Sequence, residues 1–415
     1  YSCGQRAMEP LGLLVHKLGD YLSLDEKNEL DQISNATRLE EIDSFVFEDI
    51  PVGESVSSGA LRFFGRGDFE GESLASPVIR QFFQSALYSV RALKNLYKTI
   101  EYDHILVNQG FYVPQGVQVE IVKKMQARLV CWDVSYKQNS VTICHSNTYF
   151  RTLVDTAFDD WQKQEWNTYL EDKVMEYLKG RWSSHFDWMK FMEHGADDRT
   201  EDLLRELGID LDKPVIGLLT NVVWDSAVFY PGNAFANMLD WLLKTIACFK
   251  ERPDLQLLIR VHPAEIKSWQ QSRQFAIDEI KKVFPELPKN IFIVPPESKI
   301  NTYKIMLGCD SVLIYATTTG LELACFGIPI VICGEAWMKG KGVGIDIRSQ
   351  EQYFEVLKSL PFGSRLSEEE VTYARKYAYH FFMRRMIPIG MLESAPYGNI
   401  PYKIPEKGLS VFDKG

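Results

Sequence analysis

No run of this 415-residue chain stays apolar over the length needed to span a bilayer. No internal repeat or low-complexity stretch suggests a solenoid or a disordered tail. Basic charge is also short: 46 Lys and Arg stand against 56 Asp and Glu, a formal net charge of −10. That balance argues against sequence-independent nucleic-acid binding, which needs a basic surface to displace counterions, while a local basic pocket for phosphate stays compatible with it. The seven cysteines are scattered without the spacing of a zinc site or a disulfide framework. Cys248, Cys309, Cys325 and Cys333 lie inside apolar runs, where they read as small core hydrophobes. A reducing compartment, the cytoplasm, is therefore expected. His104, His145, His185 and His194 lack metal-ligand spacing, so no metal is expected. The glycines form neither a dinucleotide nor a Walker fingerprint, which removes support for hydride transfer and for phosphoryl transfer from ATP. The chain opens on Tyr1 rather than Met, compatible with a natural N-terminus lying upstream.

What is present fits a globular protein, 46% apolar and 25% charged, and the length predicts two domains with a cleft between them. In the first half a helix from Val78 to Ile100, an apolar run His104 to Val107, a helix from Val117 to Gln126 and a run Arg128 to Trp132 alternate as β-α-β, implying a parallel sheet. A long, Trp-rich helical stretch, Asp155 to Glu206, follows, and Leu207 to Pro214 reads as a linker. The second half is clearer. Strands at Val215 to Leu219, Leu255 to Arg260, Ile291 to Val294, Ser311 to Tyr315 and Pro329 to Cys333 alternate with helices such as Ala234 to Phe249 and Thr319 to Phe326. Their unalternating apolar character suits strands covered on both faces, hence a doubly wound α/β domain. The expected division is 1–210, 211–370 and a tail, 371–415, whose helix Glu368 to Met386 packs across both domains.

Ligands of such sheets bind at the carboxyl ends of the strands, and that rule selects the candidates. Arg260 and His262 project to one side of a strand that Pro263 ends, suiting a diphosphate or a phosphate beside a carboxylate; an ion pair of Arg260 with Glu265 is the plainer alternative. Tyr315, Thr317, Thr318 and Thr319 lead into a helix whose N-terminus can hold an anion. Thr319 and Glu322 also have the spacing of a capping box, and Glu322 serves equally as a partner for a donor ribose. Asn221 and Asp225 follow the first strand of the second half. Asp225 is the first choice for a nucleophile or base at an anomeric carbon, with a turn cap as its ordinary alternative. Ser298 follows another strand. Gly334, Glu335 and Trp337, with Lys339 and Lys341, form a loop able to hold a base or sugar against the Trp337 ring, or merely a solvated one. Asn108, Gln109, Gly110 and Asp133 are acceptor-side candidates at strand ends of the first half.

The stretches Leu218 to Asp225, Ile259 to Glu265, Thr319 to Glu322, Gly327-Ile328-Pro329, Gly334 to Trp337 and Tyr377 to Pro388 together resemble the bacterial capsule polysaccharide biosynthesis family, over roughly residues 213 to 390. Its characterised members include transferases of the acid sugar Kdo. The resemblance implies a GT-B fold of two Rossmann-like doubly wound domains facing a cleft, the C-terminal helix crossing back to the first. It also implies donor nucleotide in the second domain, acceptor toward the first, and no essential metal. Members using Kdo take it from its CMP ester, which would set Arg260 and His262 against the donor phosphate and carboxylate. From their places at the strand ends, Asp225, His262 and Glu265 are the candidate catalytic residues. Asp210-Leu211-Asp212 imitates the metal-binding carboxylates of other sugar transferases but precedes a strand in the linker. The implied partners are a nucleotide sugar as co-substrate and a glycan or lipid-linked glycan acceptor. No separate cofactor and at most peripheral contact with the inner membrane face are expected. A nucleotide-sugar 2-epimerase and a non-catalytic subunit of capsule assembly or export are the competing readings.

Overall fold

The structure is a computed structural model that describes residues 13–155, 159–182, 186–189, 200–225, 232–268, 270–390 and 392–393. Among these, no helix is long and apolar enough to cross a membrane. His185 and His194, with part of the Trp-rich stretch, lie outside the described residues.

The first lobe begins with the helix Leu24–Ala36 and a two-residue antiparallel ladder of β1 (Val46–Phe47) and β2 (Ile50–Pro51). The helices Gly53–Phe64 and Ala75–Thr99 follow, and all pack into one apolar cluster around Leu30, Ile50, Phe83 and Leu87. Then come β3 (His104–Asn108), the helix Gln115–Val122, β4 (Arg128–Val134) and β5 (Ser140–His145). The expected parallel pair forms between β3 and β4, but β4 and β5 are antiparallel, so this sheet is mixed. Only 135–139 separate β4 from β5, too few residues for a crossover.

The second lobe contains β6 (Val215–Leu219), β7 (Gln256–Arg260), β8 (Ile291–Val294), β9 (Ser311–Ile314), β10 (Ile330–Ile332) and β11 (Ile345–Asp346), in the order β11-β10-β9-β6-β7-β8 with every pair parallel. All five predicted strands are present within a residue at either end. β6 and β7 are buried along their whole length, so both sheet faces need cover. The helices Met238–Lys250 and Ala276–Val283 cover one face, adding Trp241, Ile246 and Ile280 to its core. The other face is covered by Thr302–Leu307 and Thr319–Ala324 of the same lobe and by segments lying largely outside the expected domain limits. Leu153 and Trp161, Val174 and Leu178 of the helix Thr168–Arg181, Leu204 of Thr200–Glu206, and Ala374 and Tyr377 of Glu368–Tyr379 all join this core. The Trp-rich stretch therefore belongs physically to the second lobe, and the packing boundary falls near 150 rather than 210.

After Glu368–Tyr379, opened by a Ser367–Glu370 capping box, the helix widens into a π turn, His380–Arg384. Then β12 (Ile387–Pro388) pairs antiparallel with β5 of the first sheet, so the chain crosses back between lobes. Two α/β lobes face a cleft, the GT-B plan. A fragment spanning 211–390 should lack cooperative thermal unfolding by circular dichroism, because one sheet face loses Trp161, Val174 and Leu178, whereas 149–390 should unfold cooperatively. A cooperative melt of the shorter fragment would contradict this boundary.

Candidate functional site

In the second sheet the chain runs from β6 outward through β7 to β8, then returns to build β9, β10 and β11 on the other side, so the topological switch lies between β6 and β9. A crevice forms there at the strands' carboxyl ends. The two loops are joined across it, the Ala316 amide donating to Asn221 Oδ1 at 3.2 Å. The crevice opens into a cleft of about 440 Å³ between the lobes. Asn221, Asp225, Arg260, His262, Tyr315, Thr317, Thr318, Thr319 and Trp337 line it from the second lobe, and Gln109 and Asp133 from the first. Glu265, Ser298, Glu322, Gly334, Glu335, Asn108 and Gly110 do not.

The carboxylates separate by their surroundings. Asp133 is buried, accepting from the Val134 amide at 2.8 Å and from Gln109 Nε2 at 3.4 Å. Asp187 is buried with Tyr177 Oη and Arg181 as donors. Asp225 is the exposed carboxylate of the three that line the cleft. His262 Nδ1 accepts from the Ala264 amide at 3.0 Å. Burial, reinforced by nearby Arg260, lowers the imidazole to about 4. The ring is therefore neutral at physiological pH, with its proton on Nε2.

Several expected ligand groups instead hold the protein together. Arg260 is fully buried and donates to Thr302 Oγ1 (3.2 Å) and to the carbonyls of Val294 (3.4 Å), Pro295 and Ser298 (3.2 Å). It thus braces the loop after β8 and does not pair with Glu265. Ser298 Oγ accepts from the Ile300 amide within that same loop. Tyr315 Oη donates to the Phe235 carbonyl, and its ring belongs to the core. The Thr319–Glu322 capping box is absent: Thr318 is the N-cap, the helix is six residues long, and Thr317 Oγ1 accepts from the Thr319 amide at 3.3 Å. Glu322 is fully buried and accepts from Arg181 Nε at 3.1 Å, so it is neither cap nor ribose ligand. Glu335 is tied to Arg151 Nη1 at 2.6 Å and to the Gly232 amide. Lys339 and Lys341 donate to the backbone carbonyls of Gly232, Ile347 and Val154.

Two glycines are required by shape. A Cβ on Gly334 would lie 2.7 Å from the Tyr315 carbonyl oxygen, and Gly110, at φ 89°, would meet Val119 at 2.9 Å. Asn108 folds back onto the Trp132 carbonyl, leaving Gln109, at φ 57°, to face the cleft. Glu265 lies beneath the cleft wall and accepts from the Ala276 amide at 3.4 Å. Its Oε2 has no hydrogen-bond partner among the described residues, and Glu265 is not part of the cleft lining.

Side chains that sequence reasoning missed complete the site. Tyr136 and Trp337 are 5.7 Å apart between ring centroids, with Phe150 and Phe381 at 5.6 and 5.0 Å from Trp337, so the cleft has an aromatic wall built from distant segments. Burial raises the Tyr136 phenol, Arg181 opposes that shift, and Asp225 adds to it. Arg62 stands over the rings of Tyr112 (4.6 Å) and Trp224 (5.6 Å) and lines the first-lobe side. Arg181, from the Trp-rich stretch, enters the cleft between Asp187 and Glu322. The basic and aromatic content was visible in sequence; the convergence was not. Among the described residues, no three of His, Cys, Asp and Glu cluster as a metal site would need.

The sequence model of the family described as "Capsule polysaccharide biosynthesis protein" matches residues 150–368, more than half of the chain. The chain belongs to this family. The match begins where the second-lobe core begins. No curated protein matches at a significant level. Among solved structures, the fold of this family member is similar to two Thermosulfurimonas dismutans KpsC structures. One is described as a beta Kdo 2,4 transferase (10% identity, 66% of this chain and 78% of that chain covered, TM-score 0.41). The other is described as a beta Kdo 2,7 transferase (15%, 68% and 79%, TM-score 0.38). It is also similar to a Methanocaldococcus jannaschii UDP-GlcNAc 2-epimerase (8%, 80% and 97%, TM-score 0.33). At these identities and scores none of the three assigns an activity.

Burial lifts the Glu265 carboxyl to about 7, opposed by the Ala276 amide and assisted by Asp278. A folded-state value above the unfolded one means that its contribution is complete below about pH 4.5 and is lost as pH rises through 7. The loss is on the order of 3–4 kcal/mol, at ~1.4 kcal/mol for each tenfold change in proton affinity. Glu265→Gln should therefore flatten the fall in melting temperature between pH 4.5 and 8. Parallel melting profiles for the variant and the wild type would refute the buried-carboxyl account.

Proposed function

We propose that this family member is a glycosyltransferase that moves a sugar from a nucleotide-activated donor onto a glycan acceptor of a bacterial surface polysaccharide. The observation that carries the reading is a single cleft at a topological switch point. Its second-lobe wall presents an exposed Asp225, a neutral His262 and Thr318, while its opposite wall carries Gln109, Asp133 and Tyr136. Donor on the strand-end side and acceptor on the other would bring the reacting carbon between the lobes. CMP-Kdo is one candidate donor, because characterised members of the family include Kdo transferases.

Asp225 has two chemically complete roles. As nucleophile, its Oδ forms a bond to the anomeric carbon while the bond to the donor phosphate breaks and the nucleotide leaves; the acceptor hydroxyl then displaces Asp225, passing its proton to the phosphate of the departing nucleotide, and configuration is retained. As base, it takes the proton of the acceptor hydroxyl while that oxygen displaces the nucleotide directly, and configuration is inverted. His262, with Nδ1 held by the Ala264 amide, offers Nε2–H as a hydrogen-bond donor to the leaving oxygen.

A thermal-shift screen with CMP, UDP, GDP and CDP should show stabilisation by the nucleotide of the true donor. Asp225→Asn should lower kcat by roughly 100-fold or more while donor affinity stays within a few-fold, and His262→Ala should lower kcat/KM about 10- to 100-fold with an unchanged melting temperature. Because His262 is neutral down to about pH 4, it should add no acid limb near 6.5 to kcat/KM. Full turnover by Asp225→Asn would end the role given to Asp225, and a wild type stabilised by none of the four nucleotides would count against the sugar-transfer reading.

A further inference from the structure

Arg181 occupies a place in the cleft that sequence assigned to Arg260. Its side chain is 9% exposed. Nε donates to Glu322 Oε2 at 3.1 Å, and Nη1 donates to Asp187 Oδ2 and, at 3.4 Å, to Tyr177 Oη. Nη2 donates to no described residue, and Arg181 lines the cleft. A guanidinium carries five N–H groups, so these contacts leave the Nη2 edge as the part presented to a ligand.

The group is also immobilised before any ligand arrives. Its central carbon lies over the Tyr136 ring at 5.2 Å and over the Phe382 ring at 4.9 Å, and two carboxylates fix its plane. Little conformational freedom is left to lose on binding. Thr318 and Thr319 line the same cleft from the neighbouring helix start. Arg260, by contrast, directs its donors at its own lobe.

We propose that Arg181 Nη2 is the anion anchor of the cleft, donating to an anionic oxygen of the bound sugar nucleotide, either phosphate or a sugar carboxylate. This rests on the sugar-transfer reading above. Its two carboxylate partners are taken up by Nε and Nη1, so the Nη2 edge is the part of the guanidinium left for the incoming oxygen.

Isothermal titration of the wild type and Arg181→Lys tests the assignment, since lysine keeps the charge beside Asp187 but has no second donor edge. The ligands are CMP and UDP against cytidine and uridine, and glucuronate against glucose. The expected result is a loss of at least about 10-fold for the phosphate arm, the carboxylate arm or both, with nucleoside affinity unchanged; the arm that weakens names the source. Wild-type affinity in the variant, or an equal loss for the uncharged ligands, overturns the assignment while leaving sugar transfer standing. If none of these ligands binds the wild type, both proposals fall. Should Arg181→Lys not fold, wild-type crystals soaked in inorganic diphosphate give the answer. Density within hydrogen-bond reach of Nη2 supports the anchor, and diphosphate elsewhere or absent from the cleft contradicts it.

Discussion

A parallel sheet of six short strands, apolar on both faces, must be roofed and floored by helices, and the second lobe of this chain does not supply enough of them itself. One face is closed by local helices, whereas the other needs 168–181, 200–206 and 368–379 from either end of the lobe. That requirement shapes the site. The helix that brings Val174 and Leu178 to the sheet ends on Arg181, which lines the cleft. A packing need therefore delivers a cation to a cleft that the sheet topology alone would have left to its own loops.

The strands of that sheet were readable because burial on both faces turns each into an unbroken apolar run, a signal that survives without knowledge of neighbours. The crevice was readable for the same reason, since strand order follows from chain direction and ligands gather at carboxyl ends. Asp225, His262 and Asn221 were reached in this way. The roles of Arg260, Glu322 and Glu335 were not. Their partners are Ser298 and the carbonyls after β8, Arg181 at 141 residues' separation, and Arg151 at 184. Nothing in local composition distinguishes a charge that waits for a ligand from one already matched by a distant side chain. The lobe boundary was missed for a related reason: an amphipathic helix declares that it needs a partner surface but not which one.

Arg260, Glu335 and Lys341 have something in common physically: each is a charged side chain placed beyond a strand end, where desolvation is costly unless its donors and acceptors find a match. Arg260 is matched by three carbonyls and a hydroxyl, Glu335 by a guanidinium and an amide, Lys341 by a carbonyl. Such groups stabilise loop geometry. Their satisfaction keeps the loops after β7, β8 and β10 in one arrangement, so that His262 and Trp337 stand in fixed places on the wall. The strand-end rule thus located the right loops, while the residues in them divide between those that hold the wall and those that face the space.

The lobes are tied on more than one side of that space. The Gly67 amide donates to Gln274 Oε1 at 2.8 Å, Gln274 Nε2 donates to Asp68 Oδ2 at 2.7 Å, and the Arg273 amide donates to the Gly65 carbonyl at 2.9 Å. Elsewhere, Trp188 Nε1 donates to the Ser135 carbonyl at 2.7 Å, and Lys137 bridges to Asp187 in strand fashion. Asp187 also grips Arg181, so the hairpin between β4 and β5 is coupled through one buried ion cluster to Glu322 in the second lobe. A change in lobe spacing must either carry Arg181 along or break charge-assisted bonds in a region that water reaches poorly. The cheaper course is to move as a unit, which keeps Tyr136 over the guanidinium and preserves the cleft's aromatic and cationic faces in register whatever the lobes do around them.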